Sequence, residues 1–242
     1  MEYDIADILE IADATELLKA MQEIFEQRIE NRRFFRITAT PSDLQQASAN
    51  LMDPKLHELL EKPSGRDAGW VVKPLPPLKR NALGYENDRM DFHHLKFIKN
   101  GHLEFWTAVD DHFCWRQDEK AMEEHPRLYP FPVVEYPVSF CRLYRDLVDF
   151  LNITSEIIIQ MQYLNVKGAI LLPYQPESIG FMHPLEPIKP LERNRLVFGR
   201  KRAAARFDPD PTALLVIEDL YFEFGYGREH IPFFDTTGHC KL

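Results

Sequence analysis

The sequence feature that most constrains the fold is a turn dipeptide, Asn100-Gly101, within the segment HHLKFIKNGHLEFW (residues 93–106). An Asn-Gly pair between alternating apolar residues favours a two-residue hairpin turn, because both turn residues must adopt positive φ. The dipeptide therefore predicts a local antiparallel pair of strands, with Lys99 opposite His102 and Leu95 opposite Trp106. Such a pair is typical of folds built from adjacent antiparallel strands, not from alternating strands and helices.

The predicted register decides what the polar residues of this hairpin can do. Side chains alternate between the two faces of a strand, so His93 and His94 are expected to point in opposite directions. The same register places Lys96 and Glu104 on opposite faces, and it makes His102 a solvated residue beside the turn. Zinc needs about four ligands in one shell, and this arrangement does not gather them. We therefore interpret the hairpin as scaffold, with no metal site.

Other patterns predict helices and further strands. Asp13 and Glu16 resemble a capping box at the start of an N-terminal helix. The remaining predictions, in chain order, are a strand over 32–40, a short helix over 54–62, a strand with a proline-broken connection over 68–80, a proline-rich linker over 121–137, a helix over 137–152, two strands around an Asn-Val-Lys-Gly turn in 155–174, and a buried C-terminal helix near 211–224.

These elements group into three parts of the chain. Residues 1–62 supply an N-terminal helix and strand, residues 63–135 form a β-rich part with the hairpin, and residues 136–242 form a helix–hairpin–helix part. A chain of 242 residues accommodates either one compact domain or two domains that share a core. Since the strands come in adjacent pairs, the predicted class is α+β.

Composition and charge limit the classes of function. The chain has 38 acidic and 29 basic side chains and a formal net charge of −9, which argues against extended coating of nucleic acid. Three widely spaced cysteines, Cys114, Cys141 and Cys240, are typical of a reducing compartment. No apolar run reaches the length of a membrane span, and the N-terminus is acidic where a signal peptide would be basic. The sequence therefore predicts a cytoplasmic protein.

Candidate catalytic residues are few. His112 and Cys114 would share one side of a strand, as a Cys–His pair requires, but no glycine-bearing turn surrounds the thiol. A metal-dependent nuclease needs carboxylates that converge at one end of a sheet, often with a lysine nearby. Asp91, Lys96 and Glu104 lie on one hairpin, but the predicted register separates Lys96 from Glu104. The sequence contains no Walker A loop, nucleophile elbow, Cys-x-x-Cys or His-Glu-x-x-His motif, and GYGREH (225–230) is better interpreted as a helix stop. We expect no cofactor and no catalytic residue.

The strongest indication of a partner is the basic segment ERNRLVFGRKRAAARF (192–207). Basic side chains interleaved with aromatic residues can hold a phosphate backbone, and the alternative is a solvated strand-and-turn face. The candidate residues for a nucleic-acid or protein partner are Arg193, Arg195, Arg200, Lys201, Arg202 and Arg206.

Three further segments carry a family resemblance. RRFFRITATP (32–41), KPSGRDAGWVV (62–72) and YPFPVVEYPVSFCRLYRDL (129–147), joined by the NGHLEFW hairpin, resemble the region downstream of the DNA-binding domain in bacterial AlbA_2 (Schlafen-like) proteins. The resemblance extends over roughly residues 20–242 and rests on packing residues. The AlbA_2 domain itself is not recognisable, so no functional residue transfers to this chain. The resemblance implies a helper or sensing module of a nucleic-acid-directed protein, in transcription control or phage defence.

Three hypotheses follow from the sequence. The first is a non-catalytic accessory module that binds a protein partner, such as an AlbA_2-type domain, or supports nucleic-acid binding. The second is a hydrolase whose site is assembled from distant residues, with His112, Cys114 or Glu104 as candidates. The third is a small-molecule sensor with an apolar pocket lined by Trp70, Trp106 or Trp115.

Overall fold

A seven-stranded sheet organises the chain in a computed structural model that describes residues 8, 10–29, 32–62, 72–87, 93–109, 126–172, 174 and 189–242. The strands of the described residues are β1 (Phe34–Pro41), β2 (Lys79–Arg80), β3 (Gly84–Glu86), β4 (His94–Ile98), β5 (Leu103–Ala108), β6 (Arg127–Leu128), β7 (Glu156–Leu164), β8 (Ile170–Leu171) and β9 (Arg195–Ala203). The strand order in the seven-stranded sheet is β2-β3-β4-β5-β1-β7-β9, and every neighbouring pair is antiparallel. The α-helices that lie entirely within the described residues are α1 (Ala14–Arg28), α2 (Pro54–Glu61), α3 (Pro130–Leu151) and α4 (Pro209–Glu223).

The two faces of the sheet have different chemistry. One face carries the odd-numbered residues of β1 and β7, among them Phe35, Ile37 and Tyr163, and packs with α3 and α4 in the main hydrophobic core. The other face lies under α1, where two smaller clusters form around Met21 and Phe25. The antiparallel sheet with helices packed against it confirms the α+β class.

Helix starts follow the capping residues that the sequence contains. The Asp13 carboxylate accepts hydrogen bonds from the backbone N–H groups of Thr15 and Glu16, both at 2.9 Å, which satisfies donors that the first helical turn leaves open. Asp53 does the same for Lys55 ahead of Pro54. The predicted N-terminal and 54–62 helices are therefore confirmed.

The proline-rich segment is a helix, and the linker prediction is wrong over residues 130–137. Helix α3 begins at Pro130 and continues through Pro137 to Leu151. Prolines in the first turn lack only N–H groups that have no helical partner there. The buried positions of the segment, including Val133, Val134 and Tyr136, belong to the main core, so tertiary packing outweighs the helix-breaking tendency of Pro137. Residues 121–125 lie outside the described part.

The C-terminal helix is present as predicted, but it begins earlier. Its N-cap is Asp208, with Pro209 in the first turn, and Gly225 follows its end with φ of 82°. Asp210, in the first turn of the helix, accepts two hydrogen bonds of 2.8 Å from the guanidinium of Arg142 on α3. This bidentate pair joins α3 to α4.

The hairpin has a different register from the predicted one. The Ile98 N–H donates to the His102 carbonyl at 2.8 Å, so the loop contains three residues, 99–101, with Gly101 at φ 87°. Phe97 therefore lies opposite Leu103, and Lys96 lies opposite Glu104. A shift of one residue moves side chains to the other face of the sheet, so the predicted separation of Lys96 from Glu104 is wrong.

The two strands predicted in 155–174 exist but do not pair with each other. β7 lies between β1 and β9 in the main sheet, whereas β8 pairs in parallel with β6. The turn itself is present, with Asn165 at φ 59° and Gly168 at φ 83°. The main sheet takes strands from all three sequence parts: β1 from 1–62, β2–β5 from 63–135, and β7 and β9 from 136–242.

Candidate functional site

The predicted basic residues lie on and beside β9, at one edge of the sheet. We call Arg193, Arg195, Arg200, Lys201, Arg202 and Arg206 together the β9 surface. Arg193 precedes the strand, Arg206 lies in the 3-10 helix Ala204–Arg206 that follows it, and the other four are within it. Four of them are exposed and Arg200 and Arg202 are half-buried. The structure thus brings the sequence-predicted set together along one strand.

Acidic side chains neutralise three of the six cations of the β9 surface. Arg193 pairs with Glu223 of α4 at 3.2 Å, Arg195 with Glu26 of α1 at 2.8 Å, and Arg200 with Asp219 of α4 at 2.6 Å. These pairs fix the edge strand to the helices on both faces of the sheet.

The other three cations of the β9 surface have no acidic partner among the described residues. Lys201 and Arg206 are exposed. One guanidinium nitrogen of Arg202 donates to the carbonyl of Lys201 at 3.0 Å. Because a carbonyl is neutral, this hydrogen bond does not balance the positive charge of Arg202. The positive charge available for a partner therefore concentrates at the C-terminal half of β9.

A second cluster, which the sequence did not reveal, lies buried under α1. We call Arg36, Thr38, Thr40, Glu86, His94, Lys96, His102, Glu104 and Gln162 the buried polar layer. Its members lie on neighbouring strands of the α1-covered face, and all except Glu86 are almost completely inaccessible to solvent. Charged groups are rarely buried unless they are paired, so this layer is a candidate site.

The centre of the layer is an ion pair between Arg36 and Glu104. The guanidinium donates to both carboxylate oxygens, at 3.0 and 2.9 Å, and also to the side-chain oxygen of Gln22 on α1. The His102 ring lies 2.8 Å from the Thr40 hydroxyl and 3.4 Å from Glu104. His102 is fully buried, so its prediction as a solvated tip residue is wrong. It precedes β5, which lies between β4 and β1 in the sheet, and this position places His102 beside Thr40 of β1.

The outer end of the layer is organised around Glu86. Its carboxylate contacts His94 Nε2 at 3.1 Å, Lys96 Nζ at 3.8 Å and Arg28 of α1 at 3.3 Å. The His94 ring stacks on Trp106 with centroids 3.7 Å apart. The His94–Glu86 contact is short, but it does not meet hydrogen-bond geometry, and Nδ1 of His94 is buried without a hydrogen-bond partner.

The pKa values in the layer follow from burial and neighbouring charge. Burial alone would raise the pKa of Glu86, but contact with His94 and the charge of Lys96 outweigh it and lower the pKa to about 2. Burial likewise opposes ionisation of Glu104, yet Arg36 and His102 hold its pKa well below the usual range. Burial lowers the pKa of His94 and of His102 more than their glutamate partners raise it. The layer therefore contains ionised carboxylates beside neutral imidazoles.

The arrangement of the layer separates the two adjacent histidines, as predicted. His94 points to the α1 side, whereas His93, at φ 49°, points to the α3 side and lies 2.8 Å from the Tyr136 hydroxyl. Within the described residues, no three His, Cys, Asp or Glu side chains converge closely enough to hold a metal ion. The carboxylates are instead occupied by cations of the chain itself.

Several candidates lie outside the described residues, namely Trp70, Asp91, His112, Cys114 and Trp115. Trp106 is buried between His94 and Phe25, so its ring faces are covered by side chains. Cys141 and Cys240 are free thiols, and burial raises the pKa of both. Among the described helices, none is both long and apolar enough to cross a bilayer.

One sequence signal could have revealed the layer. In β1 the polar residues Arg36, Thr38 and Thr40 alternate with Phe35 and Ile37, a pattern typical of a strand with one solvated face. Helix α1 covers that face, so the alternation marks a buried polar face instead.

Comparison with known proteins adds no relative: no family model, no curated protein and no solved structure matches the chain. The resemblance to AlbA_2 proteins stays a prediction. The candidate sites of this chain are therefore defined by their geometry, as the β9 surface and the buried polar layer.

Proposed function

We propose that the chain is a non-catalytic accessory module of the cytoplasm that binds a protein partner through the β9 surface. Its role is to support a nucleic-acid-directed system, as in transcription control or phage defence. The observation that carries the proposal is the concentration of uncompensated cations at one sheet edge of a chain whose formal net charge is −9. A local field of opposite sign to the whole chain orients a charged partner as it approaches.

The buried polar layer supports a binding role over a catalytic one. A general base or nucleophile must reach the reacting atoms of a substrate, whereas Arg36, His94, Lys96, His102 and Glu104 lie beneath α1 with at most 3% exposure. Their charges are satisfied mainly by one another. The layer acts as an internal support that holds the sheet and α1 together.

The test is recovery of the partner from the native host. We would express the tagged full chain at its natural level, treat the extract with nuclease, and quantify stoichiometric co-purifying chains by mass spectrometry. The test variant is the triple charge reversal Lys201→Glu, Arg202→Glu and Arg206→Glu, which leaves the three ion pairs of the β9 surface intact.

The matched control reverses three exposed lysines elsewhere, Lys19, Lys55 and Lys73, with the same change in net charge. We expect one stoichiometric partner with the wild-type chain and the control, and its loss with the triple reversal. Equal recovery with both variants would contradict the assignment to the β9 surface. Turnover of nucleic acid with added Mg²⁺ or Mn²⁺ that disappears in Glu86→Gln would make the protein an enzyme instead.

A further inference from the structure

The outer edge of β9 is a preformed template for another strand. β9 pairs with β7 over nine consecutive positions, from Arg195 opposite Leu164 to Ala203 opposite Glu156. No described residue pairs with its other edge. A long open edge can accept an extended peptide through main-chain hydrogen bonds.

The alternation of hydrogen bonds between the strands shows which backbone N–H and C=O groups of β9 point away from the sheet. The Ser42 N–H donates to the Glu156 carbonyl at 2.7 Å, so the even-numbered residues of β7 point toward β1 and the odd-numbered ones toward β9. Their antiparallel partners in β9 are the even-numbered residues, such as Arg202 opposite Ile157. The backbone groups of Arg195, Val197, Gly199 and Lys201 therefore point away from the sheet.

Two arginines confirm this orientation and show what occupies the edge. A guanidinium nitrogen of Arg200 donates to the Gly199 carbonyl at 2.8 Å, and one of Arg202 donates to the Lys201 carbonyl at 3.0 Å. Each is a local contact between neighbouring residues. Arg200 also keeps its ion pair with Asp219, whereas Arg202 has no acidic partner among the described residues. An incoming carboxylate offers the Arg202 guanidinium a stronger, charge-assisted hydrogen bond, and its arrival frees the Lys201 carbonyl for a main-chain donor.

The side chains beside the open edge select the partner by charge. Arg195, Val197 and Lys201 project on the α1 side, while Arg200 and Arg202 project on the α4 side. Lys201 and Arg202 have no acidic partner among the described residues, so each flank carries one available cation. Val197 is 48% exposed and provides an apolar contact between them. A second copy of β9 would place like charges opposite each other, which is unfavourable, whereas an acidic strand places opposite charges there.

We infer that the β9 edge binds an extended acidic segment of the partner protein by strand addition. The inference rests on the proposed function and names the chemistry and binding mode of the partner. The energy comes from main-chain hydrogen bonds along an edge that β7 already holds rigid, and the specificity comes from alternating acidic and apolar side chains. The positive charge along the edge disfavours basic strands and self-pairing, because like charges would lie opposite each other.

The experiment uses the full chain and a peptide of alternating glutamate and valine, with the nine-residue length of β9. Fluorescence anisotropy measures its affinity against a matched lysine–valine peptide and a single-stranded oligothymidylate. We expect binding of the acidic peptide only, and weaker binding as salt screens the charges. No binding, binding of the basic peptide, or preferential binding of the oligonucleotide overturns the inference.

Amide hydrogen exchange locates the binding mode. In the free chain, the amides of Leu196, Phe198 and Arg200 should be protected by β7, and those of Val197 and Gly199 should exchange fast. The acidic peptide should slow the second set selectively. Outward amides already protected in the free chain, or self-association through β9, would mean that the edge is covered and would overturn the inference.

Val197→Pro separates the two proposals. Proline removes one outward N–H and leaves the ladder to β7 intact, and Val197→Thr is the control that keeps the N–H. We expect Val197→Pro to weaken peptide binding by about tenfold or more, and Val197→Thr to have little effect. Suppose that the triple charge reversal abolishes recovery of the native partner, while Val197→Pro changes neither that recovery nor peptide binding. In that case the proposed function holds and strand addition fails.

Discussion

Replacing Glu104 by glutamine removes one negative charge from the centre of the buried polar layer and leaves the side-chain volume nearly unchanged. Arg36 would then keep its positive charge with a side chain only 1% exposed. Breaking a buried ion pair by removing one partner typically costs about 3–5 kcal/mol, because the remaining charge is buried without compensation. The bidentate geometry and the complete burial of Glu104 place this substitution within that range.

The loss should be visible in both chemical and thermal unfolding. Urea titration with linear extrapolation gives the free energy of unfolding directly. For a chain of this size, each kcal/mol corresponds to roughly 2–4 °C in Tm, so the expected decrease in Tm is about 6–20 °C. Far-UV and near-UV circular dichroism should show that the folded state is retained under native conditions.

A double-mutant cycle with Arg36→Met identifies the mechanism. If the cost of Glu104→Gln is the uncompensated Arg36 charge, removing that charge should recover much of the stability. The double variant should then be more stable, by about 2 kcal/mol or more, than the sum of the two single changes predicts. Additive effects, or a cost below about 1 kcal/mol for Glu104→Gln, would refute the view that the pair is a desolvated unit.

Other predictions concern pH, the β9 surface and the thiols. The folded pKa of Glu86 lies near 2 and below its usual 4.5, so its contribution is full above pH 4.5 and is lost as pH falls toward 2; the acid unfolding curve of Glu86→Gln should be flatter in that window. Arg200→Glu should lower Tm by placing two carboxylates together at Asp219, whereas Lys201→Glu should leave Tm unchanged in the same thermal scan. Cys141 should resist iodoacetamide in the folded chain, as checked by intact mass, because its thiol is fully buried and its pKa is raised.

The two histidines of the layer add a second pH window, which tests the same linkage. Burial lowers the folded pKa of His94 and of His102 below the usual 6.5, so the unfolded chain binds protons more readily below that value. The contribution of the two neutral histidines to the free energy of unfolding should therefore be complete above pH 6.5 and decline as the pH falls below that value. His102→Gln should reduce this decline in urea titrations, and an unchanged pH profile would contradict the burial of a neutral His102.

The starts of α1 and α2 were predictable because their causes are local. Asp13 and Asp53 cap helices from within three residues, and Gly225 ends α4 with positive φ. The prediction of a linker over 121–137 failed because the cause of the helix there is tertiary and not local. Its prolines weaken a helix locally, but Val133, Val134 and Tyr136 bury apolar surface against the sheet, at roughly 25 cal/mol per Å², and packing prevails.

The buried polar layer was missed because it depends on strand register and on what covers the sheet. The Asn-Gly signal located the hairpin correctly but not the length of its loop, and one residue of shift separated Lys96 from Glu104 in the prediction. The β9 residues were found because their charges are consecutive in the chain. Their position on an open edge follows from the strand order, which no local pattern contains.

The sequence by itself determined the α+β class, the starts of α1 and α2, the stop of α4, the opposite directions of His93 and His94, and the basic character of residues 193–206. These properties arise from contacts or alternation within a few residues. Tertiary structure alone decided that Arg36 meets Glu104 across 68 positions of the chain and that β9 lies at an edge. Such pairings arise when strands far apart in sequence meet, and their energies reflect burial that no isolated segment possesses.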